Sequence, residues 1–404
     1  MANQYPISTI VTKKALSVLK NDLTFAHNVN RDWESEFGSA MSAGYRPGQT
    51  INIKKPPRYS IRAGRKATPQ DTVQPTVPLT LNQFGIDLYN TGLDRTLNVG
   101  KIEDIVEAAM AEVVNEIDRI GLENARLTVG NLMNPAGALP ATQAAALQNI
   151  TDINARIDEM GSSRHKKRAL IMNPKTNGAY IQGFAGLFNN SGKISKQFDE
   201  GMMVDSLGLV YGMDQNVSVH INGAATATNV NGANQTGSTI TVVATTGGTL
   251  TRGTTINLPG VNAVNPRNRN DTGSAMDFVV TADVPLGSTS IPVSPALVTS
   301  GPFQNVTASP TTATPYVIRG AANAKYAVNV AYDREAFTLA MVPMYNPGDG
   351  KGVTVSQMSE DGFTVMFKEG FDIVEDTEIL RLDVLFGYAT TYQELACKSY
   401  TLLA

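Results

Sequence analysis

Apolar positions recur along this chain with two periods, and the switch between them marks its elements. Residues 8–23 place Ile10, Val11, Ala15, Leu16, Val18, Leu19 and Leu23 at three- and four-residue spacing among Lys13, Lys14 and Lys20, which predicts a short amphipathic helix. A terminal helix of this length is marginal alone and needs a surface to dock on. The strongest helical signal covers residues 101–126, where Ile102, Ile105, Val106, Ala109, Val113, Ile117 and Ile120 form one stripe without a proline. Another helix is predicted over 147–160, then a strand over 169–172 that ends at Asn173 and Pro174.

Elsewhere the period is two. Ile51 and Ile53 alternate with polar residues, and Pro56, Pro57, Pro69, Pro75 and Pro78 punctuate the stretch that follows, so extended strands with an exposed edge are predicted, most simply a long hairpin. Between 221 and 320 charge nearly vanishes and Thr, Ser, Asn, Gly and Val dominate. The runs 239–244, 254–258, 278–281 and 290–293 are β-prone and separated by turn residues, which favours a small all-β module over a disordered linker. Residues 353–404 return to strands through Val353, Val355, Phe363, Val365, Phe367, Leu380, Leu382, Val384 and Leu385, divided by a polar hairpin near 372–376. Helices and strands mixed without a βαβ rhythm give an α+β fold class.

The 404 residues suffice for two or three domains, and 42% hydrophobic content allows substantial cores. A net charge of −3 excludes a general nucleic-acid binder. The single cysteine, Cys397, excludes an intrachain disulfide and reads as a small buried hydrophobe. No run approaches the roughly 20 apolar residues of a membrane span, and no run of signal-peptide length follows the N-terminal lysines, so a soluble chain made in the cytoplasm is expected.

Charge is segregated. Residues 44–70 hold Arg46, Lys54, Lys55, Arg58, Arg62, Arg65 and Lys66 without an acidic residue, whereas the long helix carries Glu103, Asp104, Glu107, Glu112, Glu116, Asp118 and Glu123. The cluster Arg164, His165, Lys166, Lys167 and Arg168 lacks the interleaved aromatics that nucleic-acid stacking needs, and reads as a solvated turn before a buried strand.

Catalytic chemistry does not emerge. His27, His165 and His220 have no partner at metal-ligand spacing. The stretch LFNNSGKIS, residues 187–195, has Leu187 and Ile194 where a phosphate-binding loop needs Gly and Ser or Thr. No GxSxG elbow is present, and the helix carboxylates are too evenly spread to single out an acid–base pair. No catalytic, metal or cofactor site is expected.

Two C-terminal stretches, NVAYDREAFTLAMVPM at 329–344 and RLDVLFGYATTYQELA at 381–396, resemble major capsid proteins of tailed bacteriophages. The VNRD at 29–32 and TTGGTLTRGTTINLPGVNAVNP at 245–266 resemble the coat proteins of short-tailed Salmonella-type phages in particular. The resemblance implies the Hong Kong phage-type capsid fold with a β-barrel inserted into it. In that plan 1–43 is an N-terminal arm, 44–98 an extended loop, 99–134 the spine helix of a peripheral domain, 135–221 the first part of an axial domain, 222–325 the inserted barrel, and 326–404 the remainder. It implies a virion protein that forms pentamers and hexamers of an icosahedral head around double-stranded DNA. The partners it implies are a scaffolding protein, a portal, weakly held DNA and, in some heads, a decoration protein; it implies no membrane partner.

Taken with the charge pattern, the resemblance leads to an expected contact in which the basic loop crosses the acidic helix of an adjacent subunit. The loop at 229–238 has no charge where the relatives have an acidic loop between capsomers, leaving Arg267, Arg269 and Asp271 as its substitute. Covalent cross-linking through Lys54, Lys55 or Lys66 is not expected. The alternative reading is a β-rich virion protein that decorates the head or binds a receptor or glycan.

Overall fold

The computed structural model describes residues 7–32, 50–59, 64–65, 69, 71–91, 102–163, 168–184, 203, 205–345, 353–360, 363–372 and 377–403. Its helices are α1 (Ile7–Asp22), α2 (Ile102–Thr128), α3 (Gln143–Glu159) and α4 (Pro174–Phe184). None of the described helices is long and apolar enough to cross a membrane. The chain divides into two compact units: Met1–Ile53, Thr76–Gly121 and Thr338–Ala389 form one, while Lys54–Pro75, Leu122–Phe337 and Thr390–Ala404 form the other. The α+β class expected from the pattern is the one observed.

In the first unit the strands Phe337–Met341, Thr377–Thr390, Phe363–Asp372 and Val353–Glu360 lie side by side, and Asn82–Thr91 also pairs antiparallel with Thr377–Thr390. Gly85 sits opposite Asp383 in that register, and a Cβ there would meet the Leu382 carbonyl at 2.4 Å. The missing side chain leaves room for the Asp383 carboxylate, which is fully buried and accepts from Lys368 at 3.0 Å and Arg381 at 2.7 Å. Helix α1 buries Ala15, Leu16, Val18 and Leu19, and packs on the strands Val353–Glu360 and Phe363–Asp372. Of the stripe expected on α2, Ala109, Val113 and Ile117 are buried, but Ile105 is exposed and Met110 and Val114 take its place in the core. The buried face is therefore rotated about the helix axis relative to the one read from isoleucine spacing.

In the second unit a six-stranded sheet carries Leu132–Met133, Ala396–Leu402, Lys325–Asp333, Arg168–Met172 and Leu209–Met213 in that order, with Val219–Ile221 also paired to Lys325–Asp333. Ile150, Ile153 and Ile157 on α3, Tyr180 and Phe184 on α4, and Leu170, Met172, Ala331 and Cys397 on the strands form its core. The two helices approach closely because Gly183 has no Cβ, which would lie 2.7 Å from that of Ala146. Cys397 is fully buried, and burial pushes its thiol up to about 12.

Residues 222–324 leave and rejoin this sheet at neighbouring positions. Ile221 is paired with Lys325, and the Asn222 amide donates to the Ala324 carbonyl at 3.1 Å. Between these points the strands Val317–Ile318, Thr255–Val264, Asp271–Val280, Ser290–Leu297 and Gly237–Thr241 form an antiparallel row. Residues 228–231 bond to both ends of the row: Val230 donates to the Thr314 carbonyl at 2.9 Å, while Val243 donates to Asn229 at 2.8 Å and Asn231 to Thr241 at 3.0 Å. These bonds cover part of each outer strand of the row. Inside lie Ile240, Val242, Ile256, Leu258, Phe278, Val280, Ile291, Val293 and Tyr316.

Candidate functional site

The described part of the basic segment holds its charges in two ways. Arg58 donates to Glu394 at 3.0 Å and lies 5.8 Å from the Phe303 ring centre. Lys55 sits 5.0 Å from the Tyr392 ring centre, and burial lowers its pKa against the pull of Glu394. Both cations are thus engaged within their own chain, which differs from the expectation that they face a neighbour. Lys54 and Arg65 are exposed. Arg46, Arg62 and Lys66 lie outside the described residues, as do residues 164–167 of the second basic cluster. Arg168 is not in a solvated turn: it is buried and paired with Asp158 at 2.5 Å.

The acidic helix is also divided. Asp118, expected on its surface, is 2% exposed, and its carboxylate accepts from the backbone N–H groups of Thr24 (2.7 Å), Phe25 (3.1 Å) and Ala26 (2.9 Å). It serves as an acceptor for the chain that follows α1, because those amides would otherwise be buried without partners. Asp118→Ala should cost about 2–3 kcal/mol, the range of charge-assisted bonds, read as a lower urea midpoint at unchanged slope. A change below about 0.5 kcal/mol would show that water replaces the carboxylate.

Glu116 forks onto Arg119 at 2.6 and 2.7 Å, and this hydrogen bond holds its carboxyl below the usual range. Glu123 forks onto Arg126, and Glu107 meets Lys14 at 3.1 Å. Glu112 is exposed with no ion pair among the described residues. The side chains of Glu103 and Asp104 lie outside the described set.

A buried charged cluster in the second unit was not foreseen. Lys398 is fully buried on the strand Ala396–Leu402, and its Nζ donates to the carbonyls of Arg126 at 3.3 Å and Gly253 at 3.4 Å. Burial, reinforced by Arg126, pushes it down to about 7, against the pull of Asp277. Asp277, on the strand Asp271–Val280, accepts from the Leu132 N–H at 3.1 Å and faces Arg319 at 3.7 Å. Its pKa is raised by burial, against Arg319 and Arg156. Arg156 is 1% exposed and donates to Asn131 at 3.1 Å and to the Ala275 carbonyl at 3.0 Å.

His220 completes the cluster. Its Nδ1 lies 2.9 Å from Arg126 and its Nε2 3.1 Å from Thr254. A guanidinium only donates, so Nδ1 accepts and Nε2 carries the proton. Burial, with Lys398 and Arg126 close by, pushes the ring down to about 3, which keeps it neutral. This is the environment of a structural histidine. Among the described residues no group of His, Cys, Asp and Glu is arranged to hold a metal ion.

The loop after Val264 is held by its own asparagines. The Asn265 side-chain oxygen accepts from the N–H groups of Arg267 at 2.8 Å and Asn268 at 3.3 Å, and the Arg269 N–H donates to the Asn265 carbonyl at 2.8 Å. Arg269 adopts φ +58° and donates from its guanidinium to the Tyr59 carbonyl at 2.9 Å. Asp271 accepts from the Gly273 N–H at 2.8 Å and from Asn262 at 3.1 Å, and these bonds lower its pKa. Of the three residues expected to face another capsomer, two therefore have partners in their own chain, and Arg267 is exposed.

A family model described as P22 coat protein, gene protein 5, matches residues 1–398. The chain belongs to the P22 coat protein family. It is a coat subunit that self-assembles into the icosahedral shell of a phage particle, and enclosure of DNA is implied by that shell. Its buried charges accordingly read as scaffold.

Among solved structures, the coat subunit is similar to a chain from Mycobacterium phage Che8 at 11% identity and a TM-score of 0.47, covering 94% of this chain and 91% of that one. It is also similar to the asymmetric unit of the bacteriophage PhiM1 mature capsid, at 10% identity and a TM-score of 0.42, covering 94% and 87%. A third likeness is to the capsid of Ralstonia phage GP4, at 6% identity and a TM-score of 0.44, covering 89% and 85%. No curated protein sequence matches this chain.

Proposed function

We propose that the subunit forms pentamers and hexamers through a contact between the exposed part of its basic segment and the acidic face of α2 in the adjacent subunit. The match to a coat protein family over residues 1–398 carries this reading. Lys55 and Arg58 hold the root of the segment within its own chain. Lys54, Arg65 and, by sequence, Arg62 then supply the charges that meet Glu112 and its neighbours. The subunit has no catalytic role. A scaffolding protein guides assembly, a portal occupies one vertex, DNA is held by weak non-specific contacts, and a decoration protein is a further candidate partner.

Surface pairs contribute about 0–1 kcal/mol each, but a heterologous contact repeats around a ring and closes it. Reversing Lys54, Arg62 and Arg65 to glutamate should weaken each contact roughly 10–100-fold at physiological salt. Sedimentation velocity with negative-stain microscopy reads this as a loss of rings and shells. Glu112→Lys on the same background should restore part of the assembly. Normal shells from the triple reversal would refute the contact.

A further inference from the structure

The second unit contains a cleft of about 360 Å³ that the fold's scaffolding does not use. Arg58, Arg267 and Arg269 line it together with Glu335 and Glu394, above Met160 and Leu395. Two of its cations are engaged: Arg58 pairs with Glu394, and Arg269 donates to the neutral Tyr59 carbonyl. Arg267 is exposed and has no ion pair among the described residues. Its stem lies against Gly161, where a Cβ would stand 3.3 Å from Arg267 Cγ. The backbone beneath it is fixed by Asn265 and by the αL conformation of Arg269. A guanidinium held on a rigid turn loses little freedom on binding, and its planar fork matches a carboxylate.

We propose that this cleft receives a carboxylate side chain from a second copy of the chain, with Arg267 as the residue that grips it. The proposal rests on the shell-forming role, which brings copies to high local concentration. A nucleic-acid backbone fits less well. Glu335 and Glu394 share the cleft and repel a polyanion, and a phosphate track needs a continuous basic stripe. One carboxylate instead adds a single negative charge beside Arg267 and reaches an apolar floor, where the buried Met160 strengthens the pairing by excluding water.

Arg267→Lys keeps the charge and supplies an amine that a carbodiimide can join to a touching carboxylate. Shells assembled from equal parts of ¹⁵N-labelled and unlabelled R267K subunits should give heavy–light peptides linked at residue 267, absent from dissociated subunits. In the wild type, phenylglyoxal should label Arg267 at least tenfold more slowly in empty shells than in free subunits. Arg267→Glu should raise the subunit concentration needed for assembly roughly tenfold. Links confined to one copy, links to a different protein, no product at 267, or protection of Arg267 only in DNA-filled heads would each overturn the proposal. If wild-type subunits form no particles at all, the shell-forming role fails, and the cleft's partner with it.

Discussion

Asp277→Ala should unfold the second unit about 3–5 kcal/mol more easily than the wild type, the range for a buried charge left without its partner. Asp277 is 5% exposed and stands among Arg156, Arg319 and Lys398, while its carboxylate also accepts from the Leu132 N–H. Removing it strands the buried Arg156 and Lys398 and orphans one backbone donor. Equilibrium urea unfolding reads the loss as a lower midpoint. Asp277→Asn keeps an acceptor for Leu132 and should recover part of the loss, which separates the hydrogen bond from the charge. If alanine cost less than about 1 kcal/mol, the cations would have to be relaxing to solvent, and the cluster would not bind the strand Asp271–Val280 to the sheet.

Lys398→Met should act in the opposite direction. A fully buried ammonium bonded to two carbonyls at 3.3 and 3.4 Å is poorly compensated for its lost water. Replacing it with an apolar side chain of similar length removes that desolvation penalty while Arg156 and Arg319 still face Asp277, and should raise the urea midpoint below neutral pH. The pH dependence supplies a signature. Lys398 titrates near 7 when folded, against an ordinary 10.5. Between these values the unfolded chain binds more protons, so wild-type stability rises as pH climbs from about 7 toward 10.5. Below 7 both states are protonated and the full penalty stands. The methionine variant should lose this rise, which thermal unfolding at a series of pH values would show. A rise of equal size in both proteins would assign it to another group. The two substitutions are also coupled: Asp277→Ala should cost less in the methionine background, where one stranded cation is gone.

The helices were legible where spacing and composition agreed. The range 101–126 was expected and Ile102–Thr128 is observed, since a long stripe free of proline has few other readings. α3 begins four residues earlier than expected, at Gln143, because the Thr142 side chain caps it by accepting from the Ala145 N–H. α4 was missed. Pro174 was read as a terminator, yet proline suits the first position of a helix, and the Asn173 side chain accepts from the Thr176 N–H as its cap. The strand Asn82–Thr91 was absorbed into the extended loop, although Phe84, Ile86 and Leu88 alternate along it.

The charges were legible as a composition and not as contacts. Asp118 looked like its neighbours on the helix, and only its approach to residues 24–26, more than 90 positions earlier, shows what it holds. Arg58 meets Glu394 across 336 positions. Lys398 had no signal, because a lysine in a strand usually faces water, and its burial depends on Arg126 and Gly253 arriving from other parts of the chain.

The pairing of Ile221 with Lys325 holds the two ends of a long excursion of the chain side by side. The backbone between these positions departs and returns at one place, where Asn222 also donates to the carbonyls of Arg319 and Ala321. A stretch bounded by adjoining ends can be lengthened or exchanged while the strands on either side still meet in register. The exchange has one fixed requirement: this stretch supplies the Gly253 and Ala275 carbonyls to Lys398 and Arg156 and places Asp277 beside them, so a replacement must bring acceptors for the same two buried cations.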